Sequence, residues 1–122
     1  MAQYMFLLFD TEEFYDNVTA EEWQGAMKLH NDFAAAVEAA GASIFGGAAL
    51  EKSTTASTVK QGAGEPLVTD GPFIETKEAL GGFYLVDCKD LDQALALAKI
   101  CPSNNVEVRP VMDTSEGSAP PA

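Results

Sequence analysis

The sequence predicts an α+β domain: one antiparallel sheet with two helices packed on one face. Three observations carry this. Apolar runs of strand length open and close residues 1–112. Two stretches with helical apolar spacing separate them. The order is strand, helix, strand or hairpin, strand, helix, strand, which is the split βαβ order of ferredoxin-like domains.

Residues 3–9 are apolar nearly throughout, as in a strand at a sheet centre. An acidic stretch follows, with Asp10, Glu12, Glu13 and Asp16, and no basic residue precedes Lys28. Thr19 and Glu22 have the spacing of a capping box, in which each side chain satisfies the other's orphan amide. Gly41 stands where a left-handed helix stop belongs. Between them Trp23, Met27, Ala34 and Val37 fall on one stripe, with Ala26 and Phe33 at its edge and His30 near its middle. Residues 43–50 read as a strand, and Gly46-Gly47 marks a bulge or a close backbone approach. Residues 54–60 have strand composition, Gln61-Gly62-Ala63-Gly64-Glu65-Pro66 turns the chain, and residues 67–69 pair back as a hairpin. Asp70-Gly71-Pro72-Phe73 breaks that strand, and residues 74–80 are expected to form a loop or a single helical turn. Residues 82–88 form another strand. Asp90 caps a second helix with Gln93 three residues on, Leu91, Ala94, Leu95 and Ala98 form its expected buried stripe, and Pro102 ends it. Residues 106–112 form the last strand, with Pro110 at an edge or bulge. Residues 113–122 are mostly Ser, Gly, Pro and Ala, which predicts a mobile tail.

Both helices on one face leave the other face of the sheet bare. A second copy of the chain is the simplest cover, so a homodimer is expected.

Composition narrows the function. With 122 residues, 47% of them apolar, the chain forms one domain with a core that needs no disulfide or metal. The net charge of −12 argues against direct nucleic-acid binding and against docking on anionic membranes. The opening apolar run is too short to span a bilayer and lacks the basic flank and cleavage site of a secretory signal, so the cytoplasm is the expected location. Cys88 and Cys101 make no C-x-x-C pattern, and two thiols with one histidine do not supply a usual structural zinc site. No nucleotide, zinc-protease or serine-hydrolase motif is present, and no cofactor or metal is expected.

The stretch Asp70-Gly71-Pro72-Phe73-Ile74-Glu75-Thr76-Lys77-Glu78, continued by Leu80-Gly81-Gly82-Phe83-Tyr84-Leu85-Val86-Asp87, resembles the DGPF signature of the YCII-related family. Val106-Glu107-Val108-Arg109-Pro110-Val111 is similar to that family's final strand, and His30-x-x-Phe33 followed by Gly41 is similar to its helix pattern. The resemblance implies a ferredoxin-like fold that dimerises into an α+β barrel, akin to small barrels that include lactone isomerases and cofactor-free monooxygenases. It implies a His–Asp active pair, in which His30 matches the histidine. The family's Asp-Pro after the second helix is replaced here by Cys101-Pro102, which leaves Asp70 of the DGPF turn as the alternative carboxylate. Some DGPF members are encoded beside or fused to alternative sigma factors, which implies a regulatory link.

Each candidate residue has two readings. His30, the only histidine, is either a hydrogen-bonded core residue or a group that moves protons near neutral pH. Asp70 either orients His30 or closes the turn before Gly71-Pro72. Phe73 either lines a substrate pocket or folds onto the core. Gly81-Gly82 either admits a ligand close to the backbone or forms a bulge. Arg109, the only arginine, either grips an anionic substrate or pairs across the sheet or dimer interface, and a bridge to Glu107 is not expected. Two functions follow. One is a cofactor-independent enzyme that performs proton transfer or isomerisation on a small organic molecule through His30 and Asp70. The other is a non-catalytic binding or regulatory module whose acidic surface engages a basic protein.

Overall fold

A computed structural model describes residues 1–121 of the chain. The elements are β1 (Ala2–Thr11), a 3-10 turn (Glu12–Tyr15), α1 (Ala20–Ala39), β2 (Ser43–Ala49), a second 3-10 turn (Ser53–Thr55), β3 (Ser57–Lys60), β4 (Leu67–Asp70), β5 (Glu78–Cys88), α2 (Leu91–Ala98) and β6 (Asn105–Pro110). β2, β5, β1 and β6 lie side by side in that order, antiparallel throughout, and β3 pairs with β4 in a separate hairpin. This is the ferredoxin-like α+β arrangement, with the β3–β4 hairpin inserted between the second and third strands of the main sheet.

Alternation along β1 sends Tyr4, Phe6 and Leu8 to the helix side, where their register partners on β5 are Val86, Tyr84 and Gly82. They form one core with Phe33 and Val37 of α1 and with Ala94 and Leu97 of α2, so both helices cover the same face. Met5, Leu7 and Phe9 of β1, with Phe83 and Leu85 of β5, project from the opposite face.

The caps form as their residues predict. The Glu22 amide donates to Thr19 Oγ1 at 3.1 Å and the Thr19 amide donates to Glu22 Oε1 at 3.3 Å, while Gly41 adopts φ +82°. At α2 the Gln93 amide donates to Asp90 Oδ1 at 2.9 Å, and Gln93 Nε2 reaches Ala40 O at 2.9 Å, tying the start of α2 to the end of α1.

The structure corrects four local expectations. Residues 78–81 are already strand: Glu78, Ala79 and Leu80 pair with Thr11, Asp10 and Phe9, because β1 runs on past its apolar run. The segment beginning at residue 54 is not all strand. Ser53–Thr55 is a 3-10 turn held by the Glu12 carboxylate, and β3 starts at Ser57. α2 buries Ala94 and Leu97, whereas Leu91 and Leu95 are exposed; Ala94 and Leu97 face the sheet, and Leu91 and Leu95 turn outward. The helix also ends at Ala98, before Pro102 acts, through turns in which the Ile100 and Cys101 amides bond to Leu97 and Ala98 carbonyls. Among the described residues, no helix is long and apolar enough to cross a membrane.

Candidate functional site

A cavity of about 550 Å³ opens between the N-terminal half of α1, the Glu12–Tyr15 turn and the helix side of the sheet. Its volume lies in the range of small-molecule sites. Trp23, Met27 and His30 of α1 form one wall, and Phe14 and Tyr15 form another. The floor is Gly47, Ala48 and Ala49 of β2 with Gly81 and Gly82 of β5. Asp10, Pro102 and Asn104 close one end.

The floor is low because side chains are absent where the strands come closest. A Cβ on Gly82 would stand 2.7 Å from Ala48 O, and one on Gly47 would stand 2.7 Å from Phe83 O and 3.2 Å from the Tyr84 ring. Gly81 is the extra residue of a bulge, because Leu8 pairs with Gly82 while Phe9 pairs with Leu80. The Gly81-Gly82 pair therefore forms the bulge, and that bulge borders the cavity.

His30 Nδ1 lies 2.6 Å from the Tyr84 hydroxyl. β5 sends Tyr84 to the helix side, where its ring also packs on Phe33 with centroids 5.2 Å apart. Partial burial holds the His30 pKa below its ordinary 6.5, and the Asp10 carboxylate pulls the other way. Burial raises the Tyr84 phenol above its ordinary value, with the neighbouring Cys101 adding to it. Asp10 is held in place by the Ser103 hydroxyl, 2.7 Å from Oδ2, and by the Asn104 amide, 2.8 Å from Oδ1. Cys101 is buried, and burial followed by the Asp10 charge pushes its thiol up to about 12. It stands at neutral pH as an inert thiol rather than a nucleophile.

Of the residues singled out by sequence, His30 and Gly82 border the cavity. Asp70 does not border it; it ends β4 in the separate hairpin, paired with Ser57. Gly71, the next residue, takes φ +96°, so Asp70 stands at the turn it was read to close. The carboxylate that acts on His30 within the chain is Asp10. Phe73 is 72% exposed on the segment between β4 and β5 and borders nothing in the cavity. Arg109 pairs with Met5 in register, on the sheet face away from the cavity. It also lies 3.9 Å from Glu107, an exposed ion pair that corrects the expectation against such a bridge; alternation puts residues two apart on one face, and long side chains close the gap. Asp10 and Tyr84 were missed as site residues. The signal for Tyr84 was its place in the alternation of β5, opposite Phe6. For Asp10 the signal was a carboxylate directly following a central apolar strand. Among the described residues, no group of three or more His, Cys, Asp or Glu side chains can hold a metal ion.

Residues 2–115 match the family model of the YCII-related domain. An uncharacterized protein of Rhizobium meliloti (strain 1021) is 46% identical over 78 residues, a match that covers 60% of this chain. The match spans 63% of that relative's own length. With the family model covering nearly all of the described residues and the expected strand order in place, the chain belongs to the YCII-related family.

Proposed function

We propose that the protein is a small cofactor-independent enzyme that transfers a proton, or isomerises its substrate, at His30. The observation that carries this reading is the 2.6 Å contact between His30 Nδ1 and the Tyr84 hydroxyl beside a cavity of ligand size. A lowered pKa keeps the imidazole neutral at pH 7, the form that accepts a proton. With Nδ1–H donating to Tyr84, Nε2 is a free base and the phenol O–H is free to donate to a substrate oxygen. In the other tautomer, Tyr84 donates to Nδ1 and Nε2–H is the acid. An isomerisation uses the first arrangement: Nε2 takes a proton from a carbon next to a carbonyl and the ring becomes an imidazolium, the phenol stabilises the enolate oxygen, and the imidazolium Nε2–H returns the proton to another carbon of the same system. Asp10 takes the place that sequence gave to Asp70, as the charge that stabilises the transient imidazolium.

The test is an NMR pH titration of the single imidazole in wild type, Asp10→Asn, Tyr84→Phe and Asp70→Asn. His30 is expected to titrate below 6.5 and to move lower still in Asp10→Asn, because the variant removes the charge that raises it. Tyr84→Phe should change the tautomer, and Asp70→Asn should change neither. An ordinary titration in all four proteins would end the reading.

The uncovered sheet face supports a homodimer, as the dimeric barrel expects. Met5, Leu7, Phe9, Phe83 and Leu85 make an apolar surface on the main sheet that both helices leave open. Light scattering should give twice the 12.9 kDa chain mass, and a mass equal to one chain would remove the dimer.

A further inference from the structure

Apart from the single imidazole, the side chains around the cavity carry one formal charge, that of Asp10, and no Lys or Arg is among them. The only arginine is on the far face of the sheet. Lys52 is paired with Asp16, the residue after the Glu12–Tyr15 turn, at 2.5 Å. The two groups that hold Asp10 are a neutral hydroxyl and a backbone amide, so they orient the carboxylate without cancelling its charge. Burial keeps His30 neutral near pH 7, so it does not cancel the charge either. The same cavity is lined by three aromatic rings in contact: Phe14 and Tyr15 with centroids 5.5 Å apart, then Tyr15 and Trp23 at 6.4 Å. The faces of such rings attract cations and flat apolar groups and repel carboxylates. The chain as a whole carries −12, a field that concentrates cations and depletes anions.

We infer that the cavity takes an organic cation, an ammonium group carried on an aromatic or similarly flat apolar body, with the ammonium at Asp10 and the flat part against the cavity-lining rings of Tyr15 and Trp23. An anionic substrate has no counter-charge here, and its own charge would face Asp10 across a largely apolar space. The inference rests on the reading of this cavity as the substrate site and specifies what that substrate is. Substrate recognition then falls to Asp10 and the aromatic wall, and proton movement to His30 and Tyr84.

Trp23 is the only tryptophan, so its fluorescence reports binding at this wall directly. The probes are three phenyl compounds of similar size: benzyltrimethylammonium, benzyl alcohol and phenylacetate. Benzyltrimethylammonium is expected to bind at least about tenfold tighter than phenylacetate at low salt, with benzyl alcohol between them. In Asp10→Asn the cation's advantage should shrink towards that of the alcohol. Wild-type protein supplies an independent check that needs no folded variant: added salt should weaken binding of the cation and leave the alcohol unchanged. Phenylacetate binding as tightly as the cation, or a cation preference that survives both Asp10→Asn and high salt, would overturn the inference. In that case a His30 titration below 6.5 that moves lower still in Asp10→Asn would leave the acid–base reading standing. Failure of all three probes to alter Trp23 emission would remove the ligand site itself, and both readings with it.

Discussion

The two halves of α1 meet the same sheet in different ways. Towards the C-terminus, Phe33 and Val37 are 3% and 0% exposed and join the core. Towards the N-terminus, Trp23 and Met27 remain 42% and 37% exposed although they stand on the same helical stripe. The helix does not cause the difference, because the residues in the open half are the larger ones. The sheet causes it. Under the C-terminal half lie Ile44, Phe6 and Val86, which fill the space. Under the N-terminal half lie Gly47, Ala48, Ala49, Gly81 and Gly82, which do not. The cavity is therefore made by the missing and small side chains of its floor. His30 and Tyr84 stand at the boundary between the packed half and the open half, where a polar pair has an apolar support on one side and room for a ligand on the other.

Substitutions along this boundary should grade in cost by how full their surroundings are. Phe33→Ala is expected to lose about 3–5 kcal/mol in urea unfolding, because it empties a packed site. Gly82→Ala should lose about 1–3 kcal/mol, since its Cβ would meet the Ala48 carbonyl at 2.7 Å and a strand must shift. Trp23→Ala should lose only about 1–2 kcal/mol despite the larger side chain, because much of the ring is already in water. Gly81→Ala should stay within about 0.5 kcal/mol, as its nearest new neighbour is the Leu8 carbonyl at 3.9 Å. Equal losses for Phe33→Ala and Trp23→Ala would mean that the open half of α1 is packed in solution and that no cavity exists there.

The same contrast separates what could be read in the sequence from what could not. The capping box of Thr19 and Glu22, the Asp90–Gln93 cap and the stop at Gly41 are local chemistry between residues a few positions apart, and all are present. The order of elements along the chain was legible for the same reason: apolar period and turn residues are local signals. His30 was legible as a candidate because a lone histidine on an apolar stripe is conspicuous. Its partners were not. Tyr84 is 54 positions away and arrives only through the pairing of β5 with β1. Asp10 lies in a strand whose apolar run ends just before it, and an acidic residue masks the continuation of a strand whose partner is remote. The glycines could be read as a bulge or a close approach, but one strand does not reveal that β2 and β5 bring theirs to the same floor. Asp70 shows the opposite case: the motif drew attention to it, and its position fits the turn chemistry of the residues beside it.

The smallest effect expected is a pH dependence, and it probes the boundary itself. The folded protein holds the His30 pKa below 6.5, while the unfolded chain releases it to about that value. Between the two values the unfolded chain binds more protons than the folded one. Unfolding free energy therefore rises with pH across this window and falls as pH drops through it, the loss being complete once the folded imidazole is protonated. Above 6.5 the imidazole is neutral in both states and contributes no slope. The effect is modest because His30 is only partly buried and water on the cavity side screens its charge. Urea titrations between about pH 5 and 7.5 isolate it, since most of the carboxylates stay ionised there. Wild type should lose stability towards the acid end of that range, and His30→Gln should show a flatter profile whatever its absolute stability. Parallel profiles would mean that the ring is solvated in the folded state as fully as in the unfolded one. The packed support from Phe33 and Tyr84 would then not extend to the imidazole, and the boundary between the two halves of α1 would lie one turn nearer the C-terminus.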